Sequence, residues 1–183
     1  MIGEMKRVII IGNGGAGKST LARQLGAALH VDVTHLDSVY WKPHWLPMPE
    51  SEMNMAQEHL VAQEAWIIEG QFKHTLDAFL QVADMIIFLD FPLLLCLYRI
   101  LKRHFRYTGK SRPELGEKYP EILTLNFMWR VLKFSIYTRV EVLKKIDQYA
   151  QGRKVIILCT PRQVKRFLSK FQISEHDEPH PAP

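Results

Sequence analysis

The run Gly12-Asn13-Gly14-Gly15-Ala16-Gly17-Lys18-Ser19 matches G-x-x-x-x-G-K-[ST] at every fixed position. It follows the apolar run Val8-Ile9-Ile10-Ile11 and precedes a helical stretch from Lys18 to Leu29. Such a loop wraps an anion with inward-facing N–H groups, which requires residues without bulky side chains. Four of its eight positions are Gly and a fifth is Ala. The next helix aims its N-terminal N–H groups and positive dipole end at the same anion. Lys18 can reach β- and γ-phosphates, and the Ser19 hydroxyl can join the shell of Mg²⁺, with Thr20 beside it at the helix start. The pattern predicts a nucleoside triphosphate site and demands a strand–loop–helix unit.

The rest of the chain supplies more such units. Strands are expected at Lys6–Ile11, from Val31-Val33 to Leu36, at Trp66–Ile68, at Met85–Asp90 and at Val155–Leu158. Helices are expected from Ser51 (as cap) to about Glu64, at Thr75–Val82, from Pro92 through Arg106, over Glu121–Tyr149 and over Pro161–Phe171. Ser38–Glu50 reads as loop. Apolar strands alternating with helices predict an α/β fold with a doubly wound, five-stranded parallel sheet. Ligands of such sheets bind at the carboxyl ends of the strands, here Gly12, Asp37, Gly70, Asp90 and Thr160. One domain over residues 1–173 is expected, with a lid at about 99–120 and a disordered tail from Ser174, where three prolines fall.

Asp37 could hold Mg²⁺ through water or take the proton of an acceptor hydroxyl, or it could simply cap a turn. Asp90 could be a magnesium-linked carboxylate or a cap for the helix opening at Pro92. Arg99, Arg103 and Arg106 share one helix face, just before a Gly/Pro-bearing excursion from Tyr107 to Pro120. Phosphoryl transfer needs positive donors and exclusion of water, which an arginine-bearing lid supplies. Trp41, Lys42, His44 and Trp45 suit either a pocket for a planar or sugar-like acceptor or a plug over the sheet.

Composition narrows the setting. Cys96 and Cys159 form no metal or redox motif, and the eight histidines show no ligand spacing, so no structural zinc is expected. The apolar stretch Met85–Tyr98 is interrupted by Asp90 and Pro92 and is too short to span a bilayer. The first residues run straight into a strand, leaving no room for a leader. A cytoplasmic protein is expected. Net charge is +5, with six Lys/Arg and no acidic residue between Arg99 and Arg112. That patch fits a phosphate clamp or, alternatively, a DNA contact.

The chain resembles the small P-loop kinases related to adenylate kinase, and among them the bacterial DNA topology modulation (FlaR-type) proteins. The resemblance rests on Gly12–Ser19, His35-Leu36-Asp37 with Tyr40–Pro43, Trp66–Gly70, Phe88–Pro92, Arg112-Pro113 and Thr160–Val164. It implies ATP and Mg²⁺ as cofactors, Arg99 stacking on adenine, and Arg103 holding phosphate. It further implies Thr160, Arg162 and Gln163 beside the adenine, Gly70 with Gln71 flooring the acceptor site, and Arg130 or Arg139 as a further lid-side cation. Two departures stand out. Glu69-Gly70-Gln71-Phe72 replaces Asp-Gly-Asn-Tyr, and Leu76-Asp77 is followed by Ala78 and Phe79 without the usual arginine. Without that cation, a nucleoside monophosphate is a weaker candidate as acceptor.

Two functions follow as expectations. The first is a monomeric ATP-dependent phosphotransferase acting on a small acceptor (nucleotide, nucleoside or sugar-like). The second is a nucleotide-dependent DNA-binding, topology-modulating protein whose Lys102, Lys110 and Arg112 contact the duplex.

Overall fold

In the computed structural model, residues 6–42, 46–70, 75–107 and 123–172 are described. Strand β1 (Arg7–Gly12) leads through the phosphate loop into α1 (Lys18–Leu29). There follow β2 (Val33–His35), α2 (Leu36–Tyr40), β3 (Trp41–Lys42), β4 (Leu46–Pro47), α3 (Glu50–Ala62), β5 (Trp66–Glu69) and α4 (Leu76–Val82). The chain continues as β6 (Met85–Leu89), α5 (Leu93–Tyr107), α6 (Leu125–Lys133), a π-helical turn (Phe134–Thr138), α7 (Arg139–Tyr149), β7 (Lys154–Leu158) and α8 (Pro161–Gln172).

The main sheet has five parallel strands in the order β2-β5-β1-β6-β7, as expected for a doubly wound fold. Because β1 is central, its side chains must be apolar on both faces. Val8 and Ile10 pack with Leu21 and Leu25 of α1, Cys96 of α5 and Phe167 of α8. Ile9 and Ile11 pack on the other face with Leu60 of α3, Phe79 of α4 and Val142 and Ile146 of α7. Each fully buried Ile or Leu contributes roughly 1.5–3 kcal/mol.

Several boundaries differ from the expectation for local physical reasons. The second strand begins at Val33, because the Val31 N–H closes α1 by donating to Gly26 O at 3.1 Å. The segment read as loop holds α2 and the antiparallel pair β3–β4. Leu36 and Tyr40, one helical turn apart, both bury against the second face and fix that turn. Pro49 takes the capping place expected for Ser51, and Glu50 and Glu52 sit in the first turn of α3, where the dipole favours them. The helical stretch expected at Glu121–Tyr149, with room for a break, is α6 and α7 joined by the π-helical turn. Thr160 and Gln163 form a reciprocal cap for α8. Gln163 Oε1 accepts the N–H groups of Cys159 and Thr160 at 2.6 and 3.1 Å, and Thr160 Oγ1 accepts that of Gln163 at 3.3 Å.

Candidate functional site

The phosphate loop leaves the carboxyl end of β1, between the ends of β5 and β6. Gly15 carries φ +77°, and a Cβ there would run into the carbonyl oxygen of Cys96 and lie 2.9 Å from Ile100 Cγ1. The loop therefore lies directly on α5, an approach that only glycine permits. Arg99, one turn along α5, donates from Nη1 to Ala16 O at 2.9 Å, with its guanidinium 5.0 Å over the Phe91 ring. On its other side the loop is tied to α6 and the π-helical turn. Asn13, 3% exposed, accepts the Gly14 N–H at 2.7 Å and donates from Nδ2 to Val131 O and Ser135 Oγ, each at 3.0 Å. Lys18 Nζ folds back onto Asn13 O at 3.1 Å.

The buried carboxylate nearest the loop is Glu69, the last residue of β5. Parallel pairing sets Glu69 beside Ile10 on one side and His35 on the other, so His35 and Glu69 project from the same face of the sheet. Glu69 Oε1 accepts the Ser19 hydroxyl at 2.8 Å and lies 2.7 Å from His35 Nδ1. Burial pushes the Glu69 carboxyl up, but the His35 hydrogen bond, the Lys18 charge, the His35 charge and the Ser19 hydrogen bond together hold it below its ordinary value. Gly70 makes this corner possible, since a Cβ there would sit 3.0 Å from Leu36 Cβ.

Asp37 was expected beside the loop. Topology puts β5 between β2 and β1, so Glu69 occupies that place and Asp37 sits in the first turn of α2. Asp90 follows β6, and both its oxygens are engaged by Arg139, from Nε and Nη2 at 2.7 Å each. This pair raises the Arg139 pKa, mainly through the Asp90 hydrogen bond. Asp90, Phe91, Pro92, Leu93, Ser135 and Arg139 line a cavity of about 290 Å³. Arg103 is half-buried and Arg106 exposed, further along α5 from Arg99. Arg130 lies with its guanidinium 5.7 Å from the Phe127 ring centre. Thr20 and Arg162 are exposed at the starts of α1 and α8, and Trp41 is in β3. His44, Trp45, Gln71, the excursion after Tyr107 as far as Pro120, and the tail from Ser174 lie outside the described residues.

The structure thus gathers Gly12–Ser19, Arg99, Glu69 and His35 at one place. Glu69 and His35 were not among the site residues read from the sequence. Their only signal is a charged residue closing an otherwise apolar strand and a histidine near the end of an earlier one. Among the described residues no cluster of three or more His, Cys, Asp or Glu could hold a metal ion by itself. No described helix is long and apolar enough to cross a membrane.

No family model matches the chain. It is 27% identical over 121 residues to the uncharacterized protein YqaC of Bacillus subtilis (strain 168), covering 65% of this chain and 68% of that one. Among solved structures, the shikimate kinase from Acinetobacter baumannii in complex with shikimate superposes with a TM-score of 0.53 at 17% identity, over 95% of this chain and 96% of that one. A sugar kinase from Janibacter sp. gives 0.52 at 13% identity, over 96% and 99% of the two chains. The shikimate kinase from Bacteroides thetaiotaomicron gives 0.50 at 18% identity, over 93% and 98%. A central phosphate-loop strand in a five-stranded parallel sheet, covered by helices on both faces, is the fold of the P-loop kinases.

Proposed function

We propose that this protein is an ATP-dependent phosphotransferase that moves the γ-phosphoryl group to a small acceptor. The observation that carries the reading is the contact of the Ser19 hydroxyl with the buried, ionised Glu69 beside Lys18. A phosphate-loop serine and a carboxylate held together suit a hard cation that keeps most of its waters and takes its other ligands from nucleotide phosphates. Ser19 and Glu69 would hold Mg²⁺, which when bound offsets charge on the β- and γ-phosphate oxygens.

The chain's own residues supply the remaining roles. Loop N–H groups and Lys18 bind the phosphates, Lys18 exchanging its contact with Asn13 O for phosphate oxygens. Arg99 supports the loop through Ala16 O and borders the base, with Thr160 and Arg162 following the carboxyl end of β7. Arg103 and Arg106 neutralise developing charge. Asp90 fixes the Arg139 guanidinium, which serves as a further cation toward the transferring group. Asp37 takes the proton of an acceptor hydroxyl as its oxygen bonds to the γ-phosphorus and the bond to the β–γ bridging oxygen breaks, releasing ADP. The solved neighbours include a kinase bound to shikimate and a sugar kinase, which supports a small polar acceptor here.

The test is ADP release from Mg·ATP with panels of nucleoside monophosphates, nucleosides and small polyhydroxyl acids and sugars, using wild type and Lys18→Ala. One acceptor should raise the rate by orders of magnitude, and Lys18→Ala should abolish that rise. Tight ATP binding with no acceptor effect, together with salt-dependent duplex DNA binding, would overturn this reading in favour of a nucleotide-gated DNA-binding protein.

A further inference from the structure

Glu69 Oε1 accepts two donors in this structure, Ser19 Oγ at 2.8 Å and His35 Nδ1 at 2.7 Å. An ionised carboxylate has only acceptors, so Nδ1 carries the proton and donates it. Ser19 is the donor that nucleotide binding would remove, because its hydroxyl turns toward a metal-bound triphosphate in the proposed phosphotransferase. His35 is placed to stay. It ends β2, its side chain is only 12% exposed, and it is in register with Glu69 across the strand pair. The Gly70 backbone closes against Leu36, the residue after His35, so the two strand ends cannot drift apart without opening that contact.

From this geometry, and resting on the phosphotransferase reading, we propose that His35 is a positioning residue: it pins Glu69 Oε1 so that the carboxylate keeps its orientation when Ser19 leaves. A carboxylate held by one fixed donor loses little orientational freedom on binding the hydrated cation, whereas a freely rotating one must be ordered at that moment. The histidine contributes no ligand and touches no substrate. Its effect is confined to how strongly Mg²⁺ and nucleotide reinforce each other's binding.

The experiment measures ATP affinity by calorimetry in EDTA and in excess Mg²⁺, for wild type, His35→Asn, His35→Ala, Glu69→Gln and the double variant His35→Ala/Glu69→Gln. The ratio of the two affinities reports the metal linkage, and the EDTA affinity reports an intact phosphate loop. His35→Ala should keep its EDTA affinity but lose roughly ten- to hundred-fold of the magnesium enhancement. His35→Asn, whose amide donor sits where Nδ1 does, should stay near wild type. In the Glu69→Gln background the alanine change should add nothing, since both act through one carboxylate. An undiminished enhancement in His35→Ala would overturn the proposal while leaving the phosphotransferase standing, as would equal losses in the alanine and asparagine variants. Absence of any enhancement in wild type would sink both.

Discussion

Gly15→Ala tests whether the phosphate loop rests on α5 as described. The substitution places a methyl group against the Cys96 carbonyl and 2.9 Å from Ile100 Cγ1, at a residue with φ +77°. The left-handed backbone costs an L-residue about 1–2 kcal/mol. Forcing the methyl into packed atoms adds about 1–3 kcal/mol, giving a total of about 2–5 kcal/mol. Gly152→Ala isolates the first contribution. Its φ is +74°, and nothing lies within 4 Å of the added methyl. It should cost only about 1–2 kcal/mol. Urea unfolding of both variants gives the contact energy by difference. A 3 kcal/mol loss corresponds to a fall in Tm of roughly 6–12 °C for a chain of this length. ATP affinity should fall in Gly15→Ala and stay constant in Gly152→Ala. If Gly15→Ala destabilises no more than Gly152→Ala, the loop does not lie on α5 and the placement of Arg99 against Ala16 fails with it.

Four further outcomes are expected. Lys18→Ala should lower turnover by orders of magnitude with an unchanged Tm, because its described hydrogen bond in this structure is a single one to Asn13 O. Thr160→Ala should cost about 1 kcal/mol in urea unfolding, the loss of one half of the α8 cap, and Gln163→Ala should cost a similar amount. Burial pushes the Cys96 thiol up, opposed by the Lys18 and Arg99 charges, while Cys159 is exposed. A thiol reagent at pH 8 should therefore modify one cysteine quickly and the second only on unfolding. The raised thiol keeps its proton in the folded state to higher pH than in the unfolded chain. Stability linked to Cys96 should accordingly be full below about 9, the ordinary value for this group, and be lost as pH rises above it through the raised folded value.

The parts of the fold that sequence reveals are those set by nearby residues. The phosphate loop and α1 follow from a contiguous motif and from Leu21 and Leu25, whose spacing is helical. Four of the five sheet strands contain short apolar runs, detectable by composition alone, whereas β2 is Val33-Thr34-His35 and its bounds are less legible. Strand order is set at long range, and it places β5 beside β1. Glu69 therefore meets Ser19 across 50 residues, a relation no local pattern encodes. Asp37 looked like the carboxylate of the loop because it follows the next strand in sequence, while the next strand in space is a different one. Asn13 matched the loop pattern only as a variable position. Its role as a tether to Val131 depends on α6 packing there, and the π-helical turn after α6 has no short-range signature.

The Asn13 tether also bears on how the protein is made. Val131 follows Asn13 by 118 residues, so at ribosomal rates of about 5–20 residues per second the loop waits roughly 6–24 seconds for its partner. A nascent chain stopped before Val131 carries the complete glycine-rich motif without the carbonyl that holds its second residue. On the proposed reading, nucleotide would stabilise the chain in full only after α6 had emerged to hold Asn13. The glycine-rich loop is thus completed only by a residue synthesised long after it.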